Sequence, residues 1–234
     1  MNHEQAPELK IVETADGSKT IYNPQVGENY HSKHGALQES KHVFVNSGLA
    51  YFLHNESRLV QETTVSILEV GFGTGLNFLL SADFCANESI KLQYTGIEAY
   101  PLSLDLISQT GYEQYVSSET WGSFLRNYPQ TLIKPVSINP ACQLQIANCK
   151  LLDFQSAKQY DVIYFDAFAA TYQPEMWGET AIAHTVQFLK PGGVFVTYAI
   201  TGNLKRAMKA LGCKVEKAKG APGKREMLRA VKLV

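Results

Sequence analysis

Ile67-Leu68-Glu69-Val70-Gly71-Phe72-Gly73-Thr74-Gly75-Leu76-Asn77 decides the fold of this chain: a short apolar, β-branched strand runs through one acid into three alternating glycines. A strand of that composition is what both covered faces of a parallel sheet require. The glycines at 71, 73 and 75 permit a sharp turn without Cβ atoms in the way, and the following helix directs free N–H groups at the same place. A nucleoside cofactor is expected there. A dinucleotide fingerprint would carry glycine or alanine where Leu76 stands. Glu69 would repel a pyrophosphate, but it could accept a hydrogen bond from a cationic amino-acid moiety. S-adenosylmethionine has that moiety and no phosphate.

Working outward, Leu92-Gln93-Tyr94-Thr95-Gly96-Ile97-Glu98 is a second strand ending in an acid, where α/β nucleotide folds hold ribose hydroxyls. Tyr160-Asp161-Val162-Ile163-Tyr164-Phe165-Asp166 is a third. In a doubly wound sheet these strand ends meet in one crevice, so Asp166 is expected beside the reacting groups. Methyl transfer needs an aligned nucleophile, and an amine acceptor must shed its proton before attack. Asp166 is therefore the predicted catalytic residue. The predicted cofactor set is Glu69, Gly71, Gly73, Thr74, Gly75, Asn77 and Glu98. Phe168, Trp177 and Tyr198 are aromatics suited to sandwiching a base, or equally to core packing.

The βα alternation places strands near 65–70, 92–98, 142–148, 161–166 and 194–199, followed by a closing antiparallel pair over 213–219 and 225–233. Residues 9–14 and 19–22 flank Ala15-Asp16-Gly17-Ser18, a hairpin signal. A β extension over 1–60 is thus expected to pack on a main domain of 61–234. The stretch 51–59 reads as helical, and 111–128, with Trp121, Phe124 and Leu125, as an inserted lid.

With 234 residues, 45% of them hydrophobic, the chain can bury one sizeable core. No apolar run reaches the roughly 18 residues of a membrane helix, and the polar start is no signal peptide, so a cytoplasmic location is expected. Four scattered cysteines suit neither a disulfide scaffold nor a zinc site, and His31, His34 and His42 lack a completing ligand set, so no metal is expected. The charge is unevenly spread. Residues 190–234 hold eleven of the 21 basic residues and two of the 22 acids, a segment charge of +9 against −10 for the rest. That segregation suits a phosphate-binding edge, with Lys205, Arg206, Lys209, Lys214, Lys217, Lys219, Lys224 and Arg225 as candidates.

Together these segments resemble a known family. Phe72-Gly73-Thr74-Gly75-Leu76-Asn77-Phe78-Leu79, Asp166-Ala167-Phe168 with Pro174-Glu175-Met176-Trp177, Lys190-Pro191-Gly192-Gly193 and Gly223-Lys224-Arg225-Glu226-Met227-Leu228 are similar to the methyltransferase half of the bifunctional bacterial MnmC proteins. So is Tyr30-His31-Ser32 with Gly35, Leu37, Glu39 and Ser40, the mouth of that family's cofactor pocket. Ala170 stands where the family usually has proline, and Ala221 where an aromatic is common; Asn148 stands where many relatives have an acid, and the resemblance implies that its amide meets the adenine edge of the cofactor.

The resemblance implies a class I, Rossmann-like fold and S-adenosylmethionine-dependent methylation of the 5-aminomethyl group of wobble (2-thio)uridine in tRNA. Phe168, Trp177, Tyr198, Lys224 and Arg225 would then contact the substrate. It further implies no FAD, and a separate enzyme to supply the aminomethyl precursor. Methylation of another amine, or non-catalytic RNA or cofactor binding, remain the alternatives.

Overall fold

The computed structural model describes residues 8–54 and 64–233. The expected boundary near residue 60, the helical reading of 55–59 and the polar start lie outside them. Strands β1 (Lys10–Glu13), β2 (Lys19–Asn23) and β3 (Glu28–Asn29) form a small antiparallel sheet, the expected hairpin plus one further strand. The chain then runs helically through α1 (Ala36–Glu39), a stretch of wider π-type turns over Ser40–Ala50, and α2 (Tyr51–Leu53). This long segment packs on the main sheet through Gly48, where a Cβ would come within 2.8 Å of Val196.

The main sheet is built from β4 (Thr64–Val70), β5 (Lys91–Ile97), β6 (Val136–Asn139), β7 (Cys142–Ala147), β8 (Tyr160–Phe165), β9 (Leu189–Thr197), β10 (Cys213–Lys219) and β11 (Glu226–Lys232). Helices α3 (Leu76–Asn87), α4 (Leu104–Ser108), α5 (Ser118–Thr131), α6 (Glu179–Val186) and α7 (Gly202–Ala210) connect its strands. Strand order is β10-β11-β9-β8-β4-β5-β7-β6, parallel from β9 through β7 and antiparallel at both margins. The sequence reading missed β6.

All of β8, and all of β4 except Thr64, is buried, as central strands between two helical layers must be. Alternation sends Val65 and Ile67 to the layer of the 36–53 segment, α3 and α5, and Leu68 and Val70 to the layer of α6 and α7. At one margin, β10 exposes Lys214, Lys217 and Lys219, charges that discourage edge pairing with other chains.

The expected lid over 111–128 is instead the crossover layer. Phe124 is fully buried against Phe72 and Phe78, and Tyr128 donates to the Leu102 carbonyl at 3.0 Å. Its aromatic positions are one apolar face of an amphipathic helix laid on the sheet, so covering β6 and β7 outweighs covering a ligand. Cys85, Cys142 and Cys213 are buried free thiols and Cys149 is half-buried. Among the described residues no helix is long and apolar enough to cross a membrane.

Candidate active site

The sheet's order reverses between β4 and β8, and the crevice outside the carboxyl ends of strands opens at such a reversal. Strand register carries the three acidic strand ends there. Val70 pairs with Phe165 on one side and Ile97 on the other, so Gly71, Asp166 and Glu98 are each the first residue past the same level. The Asp166 N–H donates to the Val70 carbonyl at 2.9 Å.

Each glycine of the first turn is required by a different neighbour. At Gly71 (φ +84°) a Cβ would sit 2.5 Å from the Asp166 carbonyl oxygen; at Gly73 (φ +52°) it would meet the Tyr30 ring at 2.9 Å. Gly75 (φ +80°) is hemmed in by Phe124 and Phe72. The glycines therefore make room first for the protein's own second and third loops.

Two chambers adjoin here. The larger, about 1060 Å³, is walled by Gly71, Gly73, Thr74, Glu98, Asp166 and Phe168, among others. Glu98 is fixed by two backbone donors, Gly73 N–H at 2.9 Å and Tyr100 N–H at 3.0 Å, and retains lone pairs for further donors. Among the described residues, the charged side chains on this wall are Glu98, Asp153, Asp166, Glu175 and Lys150. Four acids against one cation suit a positively charged ligand without phosphate and oppose a pyrophosphate.

The smaller chamber, about 440 Å³, is lined by Glu28, Glu39, Tyr172, Tyr198 and Lys224, and shares Tyr30, His31, Asp166, Ala167 and Phe168 with the larger. Lys224 pairs with Glu39 at 2.8 Å and lies 3.8 Å from the centre of the Tyr198 ring. Glu39 accepts the Ser32 N–H and Glu28 the Ala169 N–H, both at 2.8 Å. The Tyr198 hydroxyl donates to the Ala167 carbonyl at 2.9 Å.

In this setting Asp166 is pushed up to about 8. Burial is the main cause, Glu39 and Glu28 add negative charge, and the Asn77 hydrogen bond with the Lys224 charge pulls the other way. His31 is driven down to about 4 by burial, against the opposing fields of Glu39 and Asp16, and is neutral near pH 7. Its Nδ1 lies 2.9 Å from the Thr20 hydroxyl. Among the described residues no group of three or more histidines, cysteines or acids is arranged to hold a metal.

Not every sequence-predicted residue reaches a chamber wall. Glu69 is fully buried, with its carboxylate held by Asn77 and by the Tyr94 hydroxyl, each at 2.8 Å; Gly75 and Asn77 also lie behind the wall. Asn148 stands at the correct level, next past the Ile97–Ala147 pair, but is exposed while Cys149 and Lys150 line the cavity. Trp177 braces from behind: its indole N–H donates to the Phe168 carbonyl at 2.7 Å, and its ring packs on Phe165 and Tyr198. Arg225 is exposed and lines neither chamber. Glu28 and Tyr172 were missed altogether, and no spacing in the sequence points to them.

A family model described as S-adenosyl-L-methionine-dependent methyltransferase matches residues 116–233. The chain is 27% identical to the tRNA 5-methylaminomethyl-2-thiouridine biosynthesis bifunctional protein MnmC of Magnetococcus marinus, over 99% of this chain and 36% of that protein. It is 31% identical to the protein of the same name from Idiomarina loihiensis, over 85% of this chain and 34% of that one. The chain thus spans about a third of the length of the curated relatives it matches. Among solved structures, MNMC2 from Aquifex aeolicus superposes with a TM-score of 0.74 at 22% identity, covering 98% of this chain and 72% of that chain, a likeness of fold. The reversal of strand order, the acid-lined crevice and the family match converge: this chain belongs to the S-adenosyl-L-methionine-dependent methyltransferases, with S-adenosylmethionine as its cofactor.

Proposed function

We propose that this chain methylates the primary amine of a 5-aminomethyl group on the wobble (2-thio)uridine of tRNA, giving 5-methylaminomethyl-2-thiouridine. The observation that carries this reading is the placement of Asp166 in the wall common to both chambers. The larger chamber takes S-adenosylmethionine, with Gly71, Gly73 and Thr74 along its flank and Glu98 receiving the ribose hydroxyls. The smaller takes the acceptor. Its acids suit an ammonium group, and Tyr30, Phe168, Tyr172 and Tyr198 offer faces to a flipped base. The names of the curated relatives support the choice of amine.

S-adenosylmethionine held in the larger chamber would supply a methyl group activated by its cationic sulfur. The chain's own residues prepare the amine. Asp166 takes one proton from the ammonium, becoming neutral, and leaves a lone pair aligned for attack. A site that lifts Asp166 to about 8 makes it a competent base near neutral pH, and the arriving ammonium lowers that value by its own charge.

The tRNA backbone would lie along the basic carboxyl-terminal segment. Lys214 and Lys217 are already paired with Glu216 and Glu226, each at 3.5 Å, and Lys224 with Glu39. Among the described residues Lys205, Arg206, Lys209, Lys219 and Arg225 carry no ion pair with an acid, and these are the proposed phosphate contacts. The reading assigns the chain the methylation step alone: another activity makes the aminomethyl precursor, and FAD has no part in this step. Residues 1–60 would serve as an extension closing the site of the 61–234 domain.

The test is incubation with methyl-labelled S-adenosylmethionine and tRNA bearing, or lacking, 5-aminomethyl-2-thiouridine, followed by digestion and nucleoside analysis. Label in 5-methylaminomethyl-2-thiouridine from the first pool alone is the expected result. Label in neither pool, from protein that binds the cofactor, sinks the choice of acceptor.

A further inference from the structure

Asn77 lies near the start of α3 and is 2% exposed. Its Nδ2 is 2.8 Å from Glu69 Oε1 and 2.8 Å from Asp166 Oδ2. One amide nitrogen carries two hydrogens, so it serves both carboxyl groups at once, while the buried Oδ1 has no partner among the described residues. Glu69 is itself anchored, its second oxygen accepting from the Tyr94 hydroxyl at 2.8 Å. Glu69, Asn77 and Tyr94 line neither chamber. Glu69 and Asn77, expected from the sequence as cofactor ligands, instead bond behind the wall: the Asn77 amide nitrogen serves Glu69 and Asp166, and Glu69 accepts from Asn77 and Tyr94.

We propose that Asn77 is a positioning residue for Asp166: anchored on Glu69, its amide fixes Oδ2 of Asp166 and leaves Oδ1 to take the acceptor's proton. The inference rests on the role given to Asp166 above. Among the described residues Asn77 is the sole side-chain donor to that carboxylate. The groups facing Asp166 are Glu28 from β3, Glu39 from the helical segment, Glu69 at the end of β4, Lys224 before β11, and Tyr198 after β9. Three of these are acids and one is a cation, so an Asp166 anion deprived of its donor would both swing and retain its proton to higher pH. Glu69 holds the amide from behind, where burial and the Asp166 charge keep its own proton on well above the usual carboxylate range.

The experiment follows the Asp166 carboxyl carbon by NMR through a pH titration of the ligand-free protein, with Asp166→Asn identifying the resonance. In Asn77→Ala, and in Asn77→Ser should the alanine variant not fold, the midpoint is expected to rise by about one pH unit. Affinity for S-adenosylmethionine should stay within about twofold, while kcat on aminomethylated tRNA falls at least about tenfold. An unmoved midpoint overturns the proposal. So does a roughly tenfold loss of cofactor affinity with kcat retained, which would return Asn77 to the cofactor site. Full turnover by Asp166→Asn is a separate result and removes the role of Asp166 itself.

Discussion

The two chambers are built on different principles. The reactive wall of the larger one comes from consecutive residues at the ends of neighbouring strands, placed by sheet register, and Leu9, Asn23, Val26, Tyr30 and His31 of the amino-terminal region complete it. The smaller draws Glu28, Tyr30, His31, Glu39, Phe168, Tyr198 and Lys224 from four separate regions of the chain. The strand-end part of the first is a property of the fold, fixed once the sheet forms. The second depends throughout on docking the small amino-terminal sheet and the loop before β11 over the crevice, so small errors there fall more heavily on the acceptor than on the cofactor.

Asp166 belongs to both walls, and replacing it should have the largest effect. Asp166→Asn is expected to lower kcat by about 10²–10⁴, with cofactor affinity within a few-fold; a loss confined to cofactor affinity would assign the residue to the larger chamber alone. Next comes Gly71→Ala, which forces a left-handed backbone position and drives a methyl group into the Asp166 carbonyl 2.5 Å away. It should destabilise the protein by about 2–3 kcal/mol and weaken S-adenosylmethionine binding, read by denaturation and calorimetry. Intact cofactor binding would mean that the shared wall tolerates separation.

Lys224→Met tests the smaller chamber by itself. It strands Glu39, 7% exposed, and should cost about 1–2 kcal/mol while raising the KM for tRNA and leaving cofactor affinity unchanged.

Glu39→Gln sharpens the contrast through pH. Because Glu39 helps raise Asp166, the acid limb of kcat/KM should move to lower pH in this variant, and to higher pH in Lys224→Met. Smallest is a stability effect in the ligand-free protein. Asp166 holds its proton to about 8 when folded but loses it near 3.8 when unfolded. Between those values the unfolded state binds fewer protons, and stability falls as pH rises. Asp166→Asn should therefore raise the melting temperature at pH 8 by roughly a few degrees and leave it unchanged at pH 4.

The larger chamber was legible because its chemistry is local. An apolar run, an acid and alternating glycines specify a strand, a turn and a helix start within eleven residues, and register does the rest. Even there, burial was invisible: Glu69 reads as an acid beside the ligand, yet it sits on the strand face covered by α3, where Asn77 and Tyr94 claim it. Asn148 shows the reverse, correct in level and wrong in direction. The smaller chamber left less trace because residues 28, 39 and 224 share no periodicity; the family-like runs from Tyr30 to Ser40 and from Gly223 to Leu228, with Phe168 and Tyr198, marked that region. The stretch around Trp121 and Phe124 misled for a related reason, since an amphipathic helix has the same pattern whether its apolar side meets a ligand or a sheet.

The position of β11 bears on how the molecule comes into being. Among the described residues, Cys213–Lys219 bonds to no strand except Glu226–Lys232, which in turn is the sole bridge from it to β9. During synthesis β10 therefore emerges with nowhere to attach, and β9 keeps an open edge until the loop after β10 and the seven residues of β11 have followed. The same late event brings Lys224, just ahead of that strand, onto Glu39. Closing the sheet and finishing the acceptor chamber are thus one step in time, so a nascent chain that has already formed its cofactor turn would still be unable to recognise its acceptor.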